Sequence, residues 1–545
     1  MTARLIALSC FCRRHHVAVG TLVLAIAYLL ADVGCRETGK AALVYALGAY
    51  ALSAPWLPAS AALLLTGLWR LAFVADLGVR SLLLAVYHTR PDTVLVVDAV
   101  ANTTSEESAE FLMQYWRLLL LYGAGALLLG LLLTLIDRRY PRAHLPSPVS
   151  AVVVALLFAG LHFNPTFRKS NPLYFWPSQL AQVQAFQQNI ERLRADRERA
   201  QASLPDWAPV YTGANARHTV GIVIGESTTR WNWQLYGYTR ATTPELSHAA
   251  ASDPRLSVFR DVIAATSGTV SSFRYMLTPL ALDEPLDDEA APSVLMLARA
   301  AGYKVFWISN QHDRYINPRF AEEADVQKLL NVGGKRGDRR LDEALIPEWQ
   351  AALRDPAPRK LIIAHLLGAH PHYELRYPKA YSHYVGVQDE VSRKLADQGR
   401  MPWIRVQRDQ YDNAMRYQDH VIATLLRDFQ RQAGTSAAFL FTSDHGQDVG
   451  HMRNFAGHST DMPGMVVPLL LWRNDAPPAT PALQMRAFQN DVLDWTLLDL
   501  LDVQTRRDRP ELSLIDPAFA PRVRRVQSGN AAPGATDPED LPVVP

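Results

Sequence analysis

The sequence predicts an N-terminal all-α transmembrane bundle of about five helices, followed by a C-terminal α/β domain. Apolar runs dominate the chain up to about residue 163. Beyond about residue 189, short apolar runs alternate with helical stretches, as in an ordinary globular α/β protein. The chain-wide averages conceal this division, because 49% of the 545 residues are hydrophobic while the mean hydropathy is only -0.05.

The N-terminal part contains several candidate membrane spans, each close to the roughly 20 apolar residues that a bilayer-crossing helix needs. They lie at 17–34, 42–56, 59–79, 116–136 and 149–163. Arg13 and Arg14 precede the first span, and the basic segment 137–144 lies between the last two. Because basic segments stay in the cytoplasm, about five crossings place everything after residue 163 outside it.

The segment 166–212 is predicted to be an interfacial or amphipathic linker. Tyr174, Phe175 and Trp176 suit the bilayer interface. Pro177 and Ser178 resemble a helix start, and apolar residues then recur at helical spacing up to residue 193. This helix could pack on the soluble domain or lie among the lipid headgroups. The predicted domains are 1–165 (membrane), 166–212 (linker), 213–525 (catalytic) and 526–545 (a disordered tail).

The C-terminal part contains five strand-like runs separated by helical stretches. The runs are 219–227, 304–310, 360–368, 437–446 and 466–472, and helices are expected at 293–302 and 410–429. Several runs are apolar on both faces, which is typical of a parallel sheet covered by helices. This alternation predicts a doubly wound α/β domain.

Metal-binding or phosphate-binding side chains stand at the ends of these runs. In open α/β sheets, ligands bind beyond the carboxyl ends of the strands. Each residue alone is explained as a helix cap or a structural histidine, but so many together predict a binding site. They are Glu226, Asn310, His365, His370, Asp444 and His445.

The cysteines restrict the metal chemistry of this site. The chain has 3 cysteines, Cys10, Cys12 and Cys35, all near the first predicted span. A metal in the soluble part must therefore be held by imidazole, carboxylate and hydroxyl groups, which suit Zn²⁺ and, less well, Mn²⁺. The net charge of +2 and the absence of a basic block provide no sign of nucleic-acid binding.

A nucleophile is expected in the Ser/Thr-rich segment 259–280, at a junction between a loop and a helix. Gly268 permits a sharp turn, and the amides at the start of the helix could face an anion. A hydroxyl becomes a strong nucleophile when it is bound to a dication. The alternative is a loop whose hydroxyls only cap a helix.

Five motifs in a fixed order resemble the phosphoethanolamine transferases of Gram-negative inner membranes. They are "GIVIGESTTRWNWQLYGYTRATTPEL" (221–246), "HLLGAHPHYELRYP" (365–378), "YDNAMRYQDHVI" (411–422), "FTSDHGQDVG" (441–450) and "FAGHSTDMPGMVVPLLLW" (455–472). The resemblance covers 218–472 well. It implies an α/β/α sandwich of the alkaline phosphatase/sulfatase type in the periplasm, anchored by a multi-pass inner-membrane domain.

The resemblance also implies a ligand set. Zinc would be held by Glu226, Asp444, His445 and the nucleophile. One ion is expected, and a second is left open. His370 and His458 would handle the phosphate or a second metal. His365 and His372 are left as structural residues.

The register of the loop leaves the nucleophile open. Counting from Val262 selects Thr269, whereas aligning the glycines of the family's loop selects Ser271. We prefer Thr269 because threonine is the family's residue, and Thr266 is the third choice.

The family resemblance also suggests further substrate contacts, in two segments where this sequence departs from the family pattern. The family's phosphate-binding lysine is missing after the strand 304–310, and Arg314 is a weak substitute beside Asn310. The segment 99–111 resembles the family's substrate-contacting region and suggests Thr103 and Glu107, although Ala99 replaces the usual asparagine.

The reaction implied is transfer of phosphoethanolamine from phosphatidylethanolamine to an envelope glycolipid or glucan: lipid A, a lipopolysaccharide core sugar or a periplasmic glucan. Diacylglycerol leaves and a phospho-threonine-type intermediate forms. The rivals are a phosphoglycerol transferase of the lipoteichoic acid synthase type and a non-catalytic membrane scaffold. A sulfatase reaction is rejected, because residues 266–274 contain no proline and so no C/S-x-P-x-R sequence.

Overall fold

The computed structural model describes most of the chain as two compact units. The described residues are 16–31, 33–52, 57–87, 105–139, 148–282, 291–311, 316–331 and 340–524. One unit comprises residues 1–101 and 111–186, and the other comprises 102–110 and 187–545. The predicted tail at 526–545 lies outside the described residues.

The first unit is built from helices. Those before residue 170 are His16–Leu30, Cys35–Ala51, Ala59–Tyr87, Ser105–Arg139, Pro148–Phe163 and Pro165–Arg168. Within the described residues, Ser60–Val86 and Ser108–Ile136 are long and apolar enough to cross a membrane, while Val17–Leu30 and Pro148–Phe163 are shorter apolar helices. Leu120 and Leu127 are 63% and 77% exposed. Such a surface suits lipid better than water, but the number of crossings remains a prediction.

The linker forms one long helix, Pro172–Trp207. The expectation that it begins after Pro177 and Ser178 is wrong. Asn171 caps the helix earlier, since its Oδ1 accepts the Leu173 N–H at 3.1 Å. Pro172 occupies the first helical position, where the missing N–H costs no hydrogen bond.

A seven-stranded sheet forms the centre of the second unit. In chain order its strands are β1 (His218–Gly225), β2 (Leu256–Phe259), β3 (Lys304–Ser309), β4 (Val326–Leu329), β5 (Arg359–His365), β6 (Ala437–Ser443) and β7 (Leu469–Arg473). Their order across the sheet is β2-β7-β6-β1-β5-β3-β4.

The sheet is mixed, which corrects the expectation of a parallel one. β1, β3, β4, β5 and β6 pair in parallel, but β7 is antiparallel to both β2 and β6. The chain leaves β6 at the carboxyl edge of the sheet and returns in β7 from the same edge. Without a helical crossover, a returning strand must run antiparallel.

Helices cover the sheet and leave its central strands fully buried. Every residue of β1 and β6 is buried, which explains why both runs are apolar on both faces. The helices of this unit are Pro244–Ser252, Thr269–Leu277, Val294–Ala300, Ile316–Phe320, Leu345–Arg354, Glu390–Asp397, Pro402–Gln432, Met462–Met465, Pro481–Gln484 and Leu493–Leu500. Three two-stranded pairs complete it: Val210–Tyr211 with Val503–Gln504, Asp448–Val449 with Ala456–Gly457, and Val262–Ile263 with Phe488–Gln489.

Candidate active site

Three neighbouring strands bring their carboxyl ends together at one edge of the sheet. β1 lies between β5 and β6, with Ile224 opposite His365 and Gly225 opposite Ser443. Glu226 and Asp444 each follow directly, and the Asp444 N–H donates to the Gly225 carbonyl at 3.2 Å. The strand register therefore places two carboxylates side by side.

Glu226 is fully buried and each of its carboxylate oxygens is engaged. The Ser227 hydroxyl donates to Oε1 at 2.7 Å. Oε2 accepts from the Thr269 hydroxyl at 3.1 Å and from the Gln311 amide at 3.3 Å. These contacts fix the orientation of the carboxylate.

Asp444 and His445 form the other half of this cluster. Asp444 Oδ1 accepts the N–H groups of Ser227 and His445 at 3.1 and 2.7 Å. Its Oδ2 is buried without a hydrogen-bond partner among the described residues, 3.4 Å from His445 Nε2. His445 Nδ1 lies 2.8 Å from the Gly446 carbonyl, which can only accept, so Nδ1 carries a proton and Nε2 faces the carboxylates.

Of the three candidate nucleophiles, Thr269 is the one that contacts this cluster within the described residues. It begins the helix Thr269–Leu277, and its Oγ1 lies 3.1 Å from Glu226 Oε2 and 3.3 Å from His445 Nε2. The Ser271 hydroxyl instead contacts Thr266 Oγ1 at 2.9 Å and the Gly268 carbonyl at 3.2 Å. The Thr266 and Ser271 hydroxyls thus bond each other across the junction between the loop and the helix.

Two further histidines adjoin the cluster. The His458 ring lies 4.5 Å from the His445 ring, centroid to centroid, and its Nδ1 donates to the Ser267 carbonyl at 3.0 Å. His458 Nε2 is thereby left as the nitrogen with a lone pair. His370 follows the turn after β5, close enough to Glu226 for that carboxylate to oppose the fall in the pKa of His370.

The electrostatics of the cluster depend on burial. Burial raises the pKa of Asp444 to about 8, and the Glu226 charge adds to this rise. Although burial alone would lower it, the pKa of His445 rises to about 9 because the Asp444 and Glu226 charges favour the imidazolium. Burial lowers the pKa of His370 to about 4 and that of His458 to about 3, so both are neutral at pH 7.

This donor set fits a divalent cation. Ligand atoms of Glu226, His445 and His458 lie within 4.8 Å of one another, and the buried Asp444 Oδ2 is also close by. Buried carboxylates are costly unless a proton or cation neutralises them. Oxygen and imidazole ligands without sulfur are the donors of many zinc sites. His458 belongs to this group, whereas the family resemblance implies that it handles the phosphate or a second metal.

Backbone geometry holds Glu226 in place. Ser227 has a left-handed φ of 57°, which is rare for a residue other than glycine and costs about 1–3 kcal/mol. Its N–H and hydroxyl bind the two carboxylates, which stabilises that conformation. Gly368 also has a positive φ, of 54°, and a Cβ there would lie 2.6 Å from the Glu226 carbonyl oxygen. Only glycine allows this approach without movement.

Of the remaining predicted contacts, only the Asn310 side chain lies within the described residues. The amide of Asn310 donates to the Arg340 carbonyl at 3.0 Å and to Asp342 at 2.9 Å, so it supports a neighbouring loop. Arg314 and Thr103 lie outside the described residues, and Glu107 lies in the helix Ser105–Arg139 with its side chain undescribed.

Ser227 and Gln311 contact the cluster although sequence reasoning passed over both. Their only sequence signal is adjacency, since Ser227 follows Glu226 directly and Gln311 follows the strand end at Asn310. His365, left as structural, packs 4.5 Å from the Phe273 ring, centroid to centroid.

Comparison with known proteins decides the family. A family model described as sulfatase matches residues 218–503. Phosphoethanolamine transferase EptC of Escherichia coli strain K12 is 30% identical over 486 residues, covering 82% of each chain. The chain belongs to the phosphoethanolamine transferase family. It is therefore an enzyme with a sulfatase-type α/β domain, which confirms the predicted family and the predicted fold of the C-terminal part.

Solved structures of this family agree with that assignment. The C-terminal periplasmic domain of EptC from Escherichia coli, in complex with zinc, matches with a TM-score of 0.57 and 30% identity, covering 62% of this chain and 96% of that one. The integral membrane protein EptA from Neisseria meningitidis matches with a TM-score of 0.63 over 92% of this chain and 98% of that one. At 18% identity, EptA shows the fold alone.

Proposed function

We propose that this phosphoethanolamine transferase moves phosphoethanolamine from phosphatidylethanolamine to a cell-envelope acceptor, with Thr269 as the covalent nucleophile. The observation that carries the proposal is the position of Thr269 Oγ1, 3.1 Å from Glu226 and 3.3 Å from His445 at the start of a helix. The donor lipid lies in the membrane. A multi-pass inner-membrane anchor with about five crossings and a periplasmic site gives the enzyme access to it.

In the first step, Thr269 Oγ forms a bond to the phosphorus of the donor, and the bond from phosphorus to the glyceryl oxygen breaks. The hydroxyl points its proton at Glu226, which leaves an oxygen lone pair for the phosphorus. The proton that Thr269 gives to Glu226 passes to the glyceryl oxygen, which leaves as the hydroxyl of diacylglycerol. Phosphoryl transfer requires mainly positioning and charge neutralisation, which these buried groups supply.

In the second step, an acceptor hydroxyl or phosphate attacks the phosphorus, the bond to Thr269 Oγ breaks, and Thr269 Oγ recovers its proton from the acceptor or from water. His370, which is not among the residues proposed to hold zinc, stabilises the charge on the phosphoryl oxygens or carries a proton. Glu226, Asp444, His445 and His458, with Thr269, are the residues that would hold zinc. When bound, zinc lowers the pKa of a coordinated hydroxyl and neutralises developing charge.

Intact-mass spectrometry of the full chain in detergent tests the proposal. The protein is incubated with zinc and phosphatidylethanolamine, without acceptor, and the 261–274 peptide is then mapped. We expect one phosphoethanolamine on Thr269, none in Thr269→Ala, and retention in Ser271→Ala. A phosphoglycerol adduct from mixed lipids would instead support the lipoteichoic-acid-synthase-type activity. No adduct with either lipid on zinc-loaded protein would refute the proposed donor and the covalent step at Thr269.

The acceptor is proposed as a glycolipid or glucan of the envelope. Lipid A, a lipopolysaccharide core sugar and a periplasmic glucan each present a hydroxyl or phosphate of the required chemistry. Offering each of them to the isolated covalent intermediate and measuring which one discharges it would identify the acceptor.

A further inference from the structure

The loop that carries His370 is held between two buried charged side chains. On one side, Asp342 accepts the N–H groups of Leu367 and Gly368 at 2.8 and 2.9 Å. On the other side, Arg376 donates from Nε to the His370 carbonyl at 3.0 Å and from Nη2 to the Pro371 carbonyl at 2.8 Å. The backbone of His370 is thus fixed by a guanidinium that lies outside the zinc-type cluster.

The guanidinium has a distant ionic partner. Arg376 Nη2 lies 2.5 Å from Glu110 Oε2, and the two side chains are 2% and 7% exposed. Glu110 is separated from Arg376 by 266 residues and lies in the helix Ser105–Arg139. Residues 102–110 group with the catalytic unit, so this ion pair belongs to that unit.

We propose that Glu110 and Arg376 are positioning residues of the active site. The Glu110 carboxylate neutralises and orients the Arg376 guanidinium, and the guanidinium holds the His370 and Pro371 carbonyls so that the His370 imidazole faces the reacting phosphoryl group. A guanidinium that donates along several fixed directions suits this role, because it restrains the backbone at more than one point. The role of His370 rests on the proposed function, whereas the restraint of its loop does not.

The contacts predict what loss of Glu110 does. Without the Glu110 carboxylate, the buried guanidinium loses a counter-charge and is drawn toward water or another acceptor, which weakens its hydrogen bonds to the two carbonyls. A displacement of about 1 Å in a reacting group lowers turnover by on the order of 100-fold. We therefore expect Glu110→Ala to lower kcat by about 10- to 100-fold with little change in KM for the donor lipid.

The experiment compares full-length variants in detergent by two readouts. Hydrogen exchange of the amides in 368–373 reports the restraint on the loop, and single-turnover transfer reports its consequence. The variants are Glu110→Ala, the isosteric Glu110→Gln and Arg376→Lys. Glu322→Ala is the matched control, since Glu322 forms a more exposed ion pair with Arg197, at side-chain exposures of 40% and 30%, in the same unit. We expect exchange in 368–373 to rise at least 10-fold in Glu110→Ala, less in Glu110→Gln, and not in Glu322→Ala.

A double-mutant cycle with His370→Ala separates positioning from general stability. If Glu110 acts through His370, then adding Glu110→Ala to His370→Ala causes little further loss of turnover. The proposal would be overturned if the double variant lost turnover by the product of the two single-variant factors. Unchanged hydrogen exchange of the 368–373 amides in Glu110→Ala would also overturn it. If the wild-type chain forms no adduct with phosphatidylethanolamine, the proposed function fails, while the exchange comparison still decides whether Glu110 restrains the loop.

Discussion

Replacement of Gly368 by alanine tests how closely the His370 loop must approach Glu226. The new Cβ would lie 2.6 Å from the Glu226 carbonyl oxygen and 2.8 Å from its nitrogen. Ordinary contact begins at 3.4 Å, so the two backbone segments must separate by about 0.8 Å. The left-handed φ of 54° adds about 1–2 kcal/mol for any residue with a Cβ.

The two contributions can be measured separately with a second glycine. Gly399 has a similar φ of 70°, but a Cβ there meets nothing within 4 Å. Gly399→Ala therefore carries the dihedral cost alone. We expect both variants to lose about 1–2 kcal/mol of stability from the dihedral. Only Gly368→Ala should also move Glu226 and lose about 10- to 100-fold in transfer rate.

Thermal unfolding, zinc content after dialysis and single-turnover transfer are the assays for this pair. Since Glu226 is a proposed zinc ligand, its displacement should also weaken zinc retention in Gly368→Ala. Equal zinc content and equal rates in Gly368→Ala and Gly399→Ala would refute the reasoning, because they would show that the contact with Glu226 constrains nothing in the site.

Three other outcomes are expected. Ser227→Ala and Ser227→Gly both remove the hydroxyl that binds Glu226, so both should weaken zinc binding by about 10- to 100-fold in competition with a chelator. Of these two variants, Ser227→Gly should have the higher melting temperature, since glycine tolerates the φ of 57°. Arg240→Ala should lower the free energy of unfolding in denaturant by about 3–5 kcal/mol, because buried Arg240 pairs with Asp389, Asp409 and Asp412 at 2.7–2.8 Å. The control Arg427→Ala, at a more exposed ion pair, should lower it by at most about 1 kcal/mol. Removal of metal with a chelator should abolish transfer and lower the melting temperature, and added zinc should restore both. The reason is that Glu226 and Asp444 are otherwise buried carboxylates with no cation. Unchanged transfer in metal-free protein would contradict this prediction.

The sequence predicted the parts of the site that follow from strand position. Glu226 and the Asp444–His445 pair stand directly after apolar runs, so a period-2 or fully buried strand pattern is enough to locate them at one edge of a sheet. The choice of Thr269 over Ser271 depended on the loop register, which the strand pattern does not determine. In the structure the helix begins at Thr269, and this start determines which of the two hydroxyls faces the cluster.

Long-range packing supplied what the sequence could not predict. Nothing local distinguishes Glu110 or Arg376 from surface charges, and 266 residues separate them. The direction of β7 was mistaken because an apolar run carries no sign of its polarity in the sheet. The capping of Pro172–Trp207 by Asn171 was also passed over, although an Asn-Pro pair is a known helix start.

The sheet divides the site into a rigid part and a part supplied by loops. Glu226 and Asp444 are fixed by the parallel pairing of β1 with β6, which is buried on both faces. Thr269, His370 and His458 instead arrive on a helix start and two loops, each tied by its own hydrogen bonds, such as that from His458 to the Ser267 carbonyl. A substitution within the strands should thus affect metal binding and folding together. A substitution that frees the His370 loop, as at Glu110, should lower transfer while zinc stays bound, because His370 is not among the proposed zinc ligands. Measuring zinc content beside turnover in each variant distinguishes the two classes.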